Sequence, residues 1–123
     1  MNRFSTALLI GALGIANVQA NESAVAGVYR NEVGINVLTV TLLPNGNYLA
    51  RWDADMGSNG TASGSWQVAG DEVRLTPKKE EGRPMTGYLR ILFLRELDGR
   101  KALLRKEDVE NAKNPFFYLY RRK

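Results

Sequence analysis

The chain has 123 residues, 17 of them basic and 13 acidic for a formal charge of +4, and it contains neither cysteine nor histidine. Those two absences exclude a disulfide framework, a thiolate or imidazole zinc site, and Ser-His-Asp or Cys-His nucleophile chemistry. With 44% hydrophobic and 24% charged residues, the composition is that of a globular domain.

Met1–Ala20 has the layout of a secretory signal peptide: Arg3 in a positive n-region, an apolar run over Ala7–Ala16, and Val18-Gln19-Ala20 before the cleavage point. The apolar run is too short to cross a bilayer core, which takes roughly 20 residues, so no membrane span is expected. Processing after Ala20 leaves residues 21–123 as a single domain in the periplasm or outside the cell, with no cysteine near its start to carry a lipid.

Strand and turn signals then follow one another. Val25–Arg30 opens the series. Pro44-Asn45-Gly46-Asn47 separates Ile35–Leu43 from Tyr48–Asp53, and Gly70-Asp71 separates Ser65–Ala69 from Glu72–Thr76. Asp98-Gly99 separates Tyr88–Leu97 from Arg100–Lys106, and Phe116–Arg122 ends the series. Each turn places glycine or asparagine where a tight reversal requires positive φ. Alternation puts Leu38, Val40 and Leu42 on one face, opposite Thr39 and Thr41. It does the same for Tyr48, Ala50 and Trp52 against Leu49, Arg51 and Asp53. Trp66 with Val68, and Val73 with Leu75, continue the pattern, and Leu89, Ile91 and Phe93 form a further stripe. The one helical stretch expected is Lys106–Lys113, ended by Asn114-Pro115, and Pro77–Gly87 reads as a loop. About eight short strands in so small a domain leave two exposed edges unless the sheet closes. The expectation is therefore an all-β antiparallel meander closed into a small barrel.

Gly27-Val28-Tyr29, Leu42-Leu43-Pro44-Asn45-Gly46-Asn47-Tyr48, and Gly64-Ser65-Trp66 followed by Gly70-Asp71-Glu72-Val73-Arg74-Leu75 occur in an order that resembles small lipocalin-like barrels of bacterial envelopes. The order is similar to the N-terminal barrel of NlpE-type envelope-stress proteins and, more faintly, to periplasmic inhibitors of secreted metalloproteases. The resemblance implies a lipocalin-like barrel. The lipid-anchoring cysteine and C-x-x-C pair of NlpE-type domains have no counterpart here, so copper and redox roles do not carry over. Only Asn21-Glu22-Ser23-Ala24 precedes the first strand, which is short for an inhibitory arm.

Three sets of residues bear on function. Asp53, Asp55 and Asn59 alternate as oxygen ligands do around a hard cation, but the stretch departs from the EF-hand pattern and reads as a soluble hairpin tip. Tyr29, Tyr48, Trp52, Trp66 and Tyr88 could line a cavity for a small apolar ligand or could fill the barrel, which at eight strands is just wide enough for either. Arg95, Arg100, Lys101, Arg105, Lys106, Lys113, Arg121, Arg122 and Lys123 gather towards the C-terminus among Glu96, Asp98, Glu107, Asp108 and Glu110. They read as a solvated exterior with lysine and arginine blunting its edges, and no nucleic-acid partner is expected. Arg121 is in addition a candidate to cap the barrel by stacking on an aromatic ring. The carboxylate pairs fall in turns and loops, where nothing raises one pKa for acid catalysis. The expected function is a non-enzymatic, cofactor-free binding module that contacts another protein as an inhibitor or immunity protein does, through the loops Ala54–Gly60 and Thr76–Gly87. The alternative is a carrier of a small apolar ligand.

Overall fold

The computed structural model describes residues 22, 24–32, 34–54, 57, 59–83, 85–110 and 118–122. The signal-peptide reading of Met1–Ala20 lies outside them. Eight strands form one closed barrel in chain order: β1 (Gly27–Asn31), β2 (Val37–Leu42), β3 (Asn47–Asp53), β4 (Gly60–Ala69), β5 (Glu72–Glu81), β6 (Ile91–Leu97), β7 (Arg100–Leu104) and β8 (Leu119–Arg121). Every pairing is antiparallel, and the ring closes where Tyr29, Arg30 and Asn31 face Arg121, Tyr120 and Leu119. A short helix, α1 (Lys106–Glu110), precedes β8. Among the described residues no helix is long and apolar enough to cross a membrane.

Period-two burial builds the interior. Leu38, Val40 and Leu42 from β2, Tyr48 and Ala50 from β3, Trp66 and Val68 from β4, and Val73 and Leu75 from β5 are all buried in one cluster. Burying each large side chain of this kind stabilises the fold by about 1.5–3 kcal/mol. The expected stripe Leu89–Ile91–Phe93 is corrected. Leu92 faces Val73 across the sheet and is buried, Leu94 packs against the same core, and Ile91 is exposed. Both phases of β6 are apolar, so alternation alone could not choose between them. The outward Phe93 carries the Arg95 guanidinium 5.7 Å from its ring centroid.

Two other expectations change. Val25 lies in a helical turn ahead of β1, where Ala26 N–H donates to the Glu22 carbonyl at 3.0 Å. The loop expected over Pro77–Gly87 is strand as far as Glu81, because β4 begins at Gly60 and pairs with it throughout. Pro77 fits there because the register shifts at Ser63/Gly64, a bulge at which a proline is tolerated. The helix expected over Lys106–Lys113 is present as α1 over Lys106–Glu110, and its last three residues lie outside the described ones.

Antiparallel order sends the tight turns β2–β3, β4–β5 and β6–β7 to one end, together with the start of β1. The connections leaving β1, β3, β5 and β7 lie at the other end. The turn end is plugged by Val25, whose carbonyl accepts from the Tyr29 hydroxyl at 2.6 Å. Arg121, expected to stack on an aromatic ring, holds this end by a hydrogen bond, with Nη1 donating to the Ala24 carbonyl at 2.9 Å. The Arg121 stem runs over Gly27, where a Cβ would come within 2.9 Å of its Cδ. At the loop end Met85 is fully buried beside Gly60, where a Cβ would come within 2.7 Å of the Met85 Cγ. The inward-turned Glu80 latches this connection, accepting from Arg90 Nη1 at 2.7 Å and from Gly87 N–H at 3.2 Å. Outside the barrel, Ala102 and Leu104 of β7 form a second cluster with Tyr118, flanked by Val109 of α1 and Tyr120 of β8.

Candidate functional site

The barrel interior takes the aromatic set as packing. Tyr29, Tyr48 and Trp66 are buried in the core, and Trp66 Nε1 donates to the Leu43 carbonyl at 2.9 Å, near the turn end. Trp52 and Tyr88 meet at the loop end, edge to face at 6.0 Å, and the Tyr88 hydroxyl accepts from Arg105 Nη1 at 3.3 Å. The five aromatics lie in or against one core cluster, Trp52 and Tyr88 as a pair at its margin.

Their polar atoms differ in a way that can be measured. Burial pushes the Tyr29 hydroxyl up to about 12, moderated by the Arg121 guanidinium, while its hydrogen bond to Val25 is kept. Burial also raises Tyr48, with the Glu80 charge adding and Arg90 opposing, and among the described residues the Tyr48 hydroxyl has no hydrogen-bond partner. An unmade buried hydrogen bond costs free energy, whereas a made one contributes about 1 kcal/mol. Tyr48→Phe is therefore expected to raise the unfolding free energy by about 1 kcal/mol and Tyr29→Phe to lower it by about 1 kcal/mol, read by urea denaturation. The folded state holds the Tyr29 proton longer than the unfolded chain does. Its contribution is thus complete below about pH 10 and is lost as pH rises towards about 12. Tyr29→Phe should flatten that alkaline decline, and an unchanged profile would contradict the assignment.

The candidate cation residues are engaged otherwise. Asp53 ends β3 with both carboxylate oxygens on Arg51 Nε, at 2.9 and 3.1 Å, and Asn59 Oδ1 accepts the Ala54 N–H at 3.3 Å. Asp55 lies outside the described residues. Among the described residues no three His, Cys, Asp or Glu side chains gather to hold a metal ion.

A surface that was not anticipated lies on the outer face of β2–β5. Two rows of side chains cross these four strands in register: Thr41, Leu49, Ser63 and Lys79, and beside them Thr39, Arg51, Thr61 and Glu81. They border a trough of about 520 Å³. Leu49, 54% exposed, stands at its centre among hydroxyl groups. The rim is ionic, with Arg51 paired to Asp53, Lys79 3.6 Å from Glu81, and Thr61 Oγ1 donating to Glu81 at 3.5 Å. Leu49 carried the signal in the sequence, as an apolar residue in phase with Arg51 and Asp53. Comparisons with protein-family models, with curated proteins and with solved structures found no match.

Proposed function

We propose that this chain is an exported, non-enzymatic binding module of the bacterial envelope that contacts another protein. The observation that carries the reading is the trough on β2–β5, an exposed leucine ringed by hydroxyls and by charges of both signs. An apolar centre inside a polar rim is the anatomy of a protein contact. A closed sheet also holds the trough rigid, which reduces the ordering cost of association. The expected loop surface moves accordingly, since half of Thr76–Gly87 is strand and contributes Lys79 and Glu81 to the rim. The partner that fits presents a small apolar side chain among neutral hydrogen-bonding groups. Catalysis has little to draw on: Glu80 is held below the usual carboxylate range by Arg90, and Asp53, Asp71 and Glu72 are each ion-paired with an arginine.

The test is affinity capture from envelope extracts with the processed protein and with Leu49→Asp. A protein retained by the first and lost with the second, at unchanged thermal midpoint, is the expected result. Identical capture by both variants overturns the assignment. The carrier reading has one observation on its side, the buried Tyr48 hydroxyl, which has no hydrogen-bond partner among the described residues and which a ligand oxygen could satisfy. Titration with a fluorescent fatty acid that leaves its emission unchanged removes that reading.

A further inference from the structure

Beside the seam where β8 meets β1, the outer side of β7, β8 and β1 and the adjoining turn end concentrate positive charge. Two hollows of about 360 and 260 Å³ share Arg122 as a common wall. Arg100, Lys101 and Arg121 border the first and Arg30 the second; with Arg122 these are five cations against two carboxylates, Glu32 and Glu96. The excess of three is most of the net +4 of the whole chain. Glu32 is taken by Arg100 through two hydrogen bonds, at 3.0 and 2.8 Å, and Lys101 lies 3.9 Å from Glu96. Arg100 is held in place over the Tyr120 ring, 4.6 Å from its centroid. Arg30 and Arg122 are exposed, and among the described residues neither has an ion-pair partner.

A second, independent feature adjoins this side. Gly34 lines the smaller hollow with Arg30 and Arg122, and the next residue, Ile35, is 74% exposed, the most exposed large hydrophobic described. We propose that Arg30, Arg100 and Arg122, with Ile35 projecting beside them, dock this side of the barrel on an anionic phospholipid bilayer. The guanidinium fork matches phosphodiester oxygens bidentately, and the two unpaired arginines are the ones free to do so. Acyl chains accept a single inserted apolar side chain such as Ile35, and an arginine cluster beside it faces the phosphate layer. Cations beside an anionic leaflet and one apolar anchor together supply the two signals that stable peripheral binding takes.

The test is co-sedimentation of the processed protein with phosphatidylglycerol/phosphatidylcholine vesicles and with pure phosphatidylcholine vesicles, at about 0.1 M and about 0.5 M salt. Binding is expected only to the anionic vesicles and should weaken at the higher salt. At about fivefold per charge, the double variant Arg30→Glu/Arg122→Glu should lower partitioning by at least a hundredfold. Ile35→Ser should lower it by about tenfold at either salt concentration, since its contribution is apolar. Arg74→Glu, on β5 away from this side, controls for net charge and should have no more than the effect of a distant charge. Equal binding to both vesicle types, or equal loss with the Arg74 control, overturns the proposal. Binding to soluble polyglutamate as strong as to vesicles, unaffected by Ile35→Ser, overturns it in favour of an acidic protein partner. Thermal midpoints of all variants establish that each is folded, and the Leu49 capture experiment is independent of every outcome.

Discussion

Asp108→Ala is expected to lower the unfolding free energy by about 3 kcal/mol, the loss typical of breaking a buried ion pair from one side. Asp108 is 2% exposed and sits in the first turn of α1. Its Oδ2 accepts from Arg105 Nε at 2.8 Å and from the Arg105 N–H at 3.3 Å, while Oδ1 accepts from Nη2 at 3.0 Å. One carboxylate therefore satisfies a helix-start amide and neutralises a largely buried guanidinium, whose pKa is raised by this hydrogen bonding. Alanine leaves both donors without that acceptor in a place water reaches poorly. Replacing both partners, Arg105→Met with Asp108→Leu, should recover most of the loss, because the larger penalty comes from a guanidinium whose pairing passes from Asp108 to the exposed Glu107 at 3.8 Å. Urea denaturation with an unchanged slope measures both; a single-variant loss below about 1 kcal/mol would show the pair to be solvated.

Gly64→Ala should cost about 3 kcal/mol for a different reason. A Cβ at Gly64 would fall on the Thr76 carbonyl oxygen and come within 2.8 Å of the Pro77 Cα. Both are backbone, which cannot rotate aside, so either β4 and β5 separate or the bulge is lost. The bulge sets the phase of β5 beyond Pro77 and so turns Glu80 towards Arg90 and Gly87. Destabilisation should therefore be accompanied by faster hydrogen exchange at the Gly87 amide. Gly70→Ala is the comparison: its φ of +64° is strained for alanine but a Cβ there meets open space, so about 1 kcal/mol is expected. Equal losses at the two positions would show that conformational freedom, and not close approach, selects glycine at 64.

Closure of the sheet was legible because the turns are spelled out by glycine and asparagine, and because Leu38–Leu42 and Trp66–Leu75 alternate cleanly. β6 was not, since Leu-Arg-Ile-Leu-Phe-Leu offers apolar residues in both phases and only the facing Val73 selects Leu92. The outer half of β5 read as loop because Pro77 and the charged run after it suppress strand propensity. Pairing with β4 overrides that local preference. The aromatic candidates were identified as a group, but their hydrogen-bond partners depend on the barrel bringing distant carbonyls near, as Leu43 comes to Trp66. The trough was invisible as a trough, because its two rows are assembled from four separate strands. The arginines of the other side were visible only as a C-terminal excess until β1 supplied Arg30 beside them.

The seam between the first and last strands has a consequence for biogenesis. Arg121 reaches back across 97 residues of chain to the Ala24 carbonyl, and β1 has only β2 beside it until β8 arrives. At ribosomal speeds of about 5–20 residues per second, the opening strand waits on the order of ten seconds for its second neighbour. Completion of the ring therefore waits for β8. Until then β1 presents an open edge, and the arrival of β8 with Arg121 acts as the clasp that removes it.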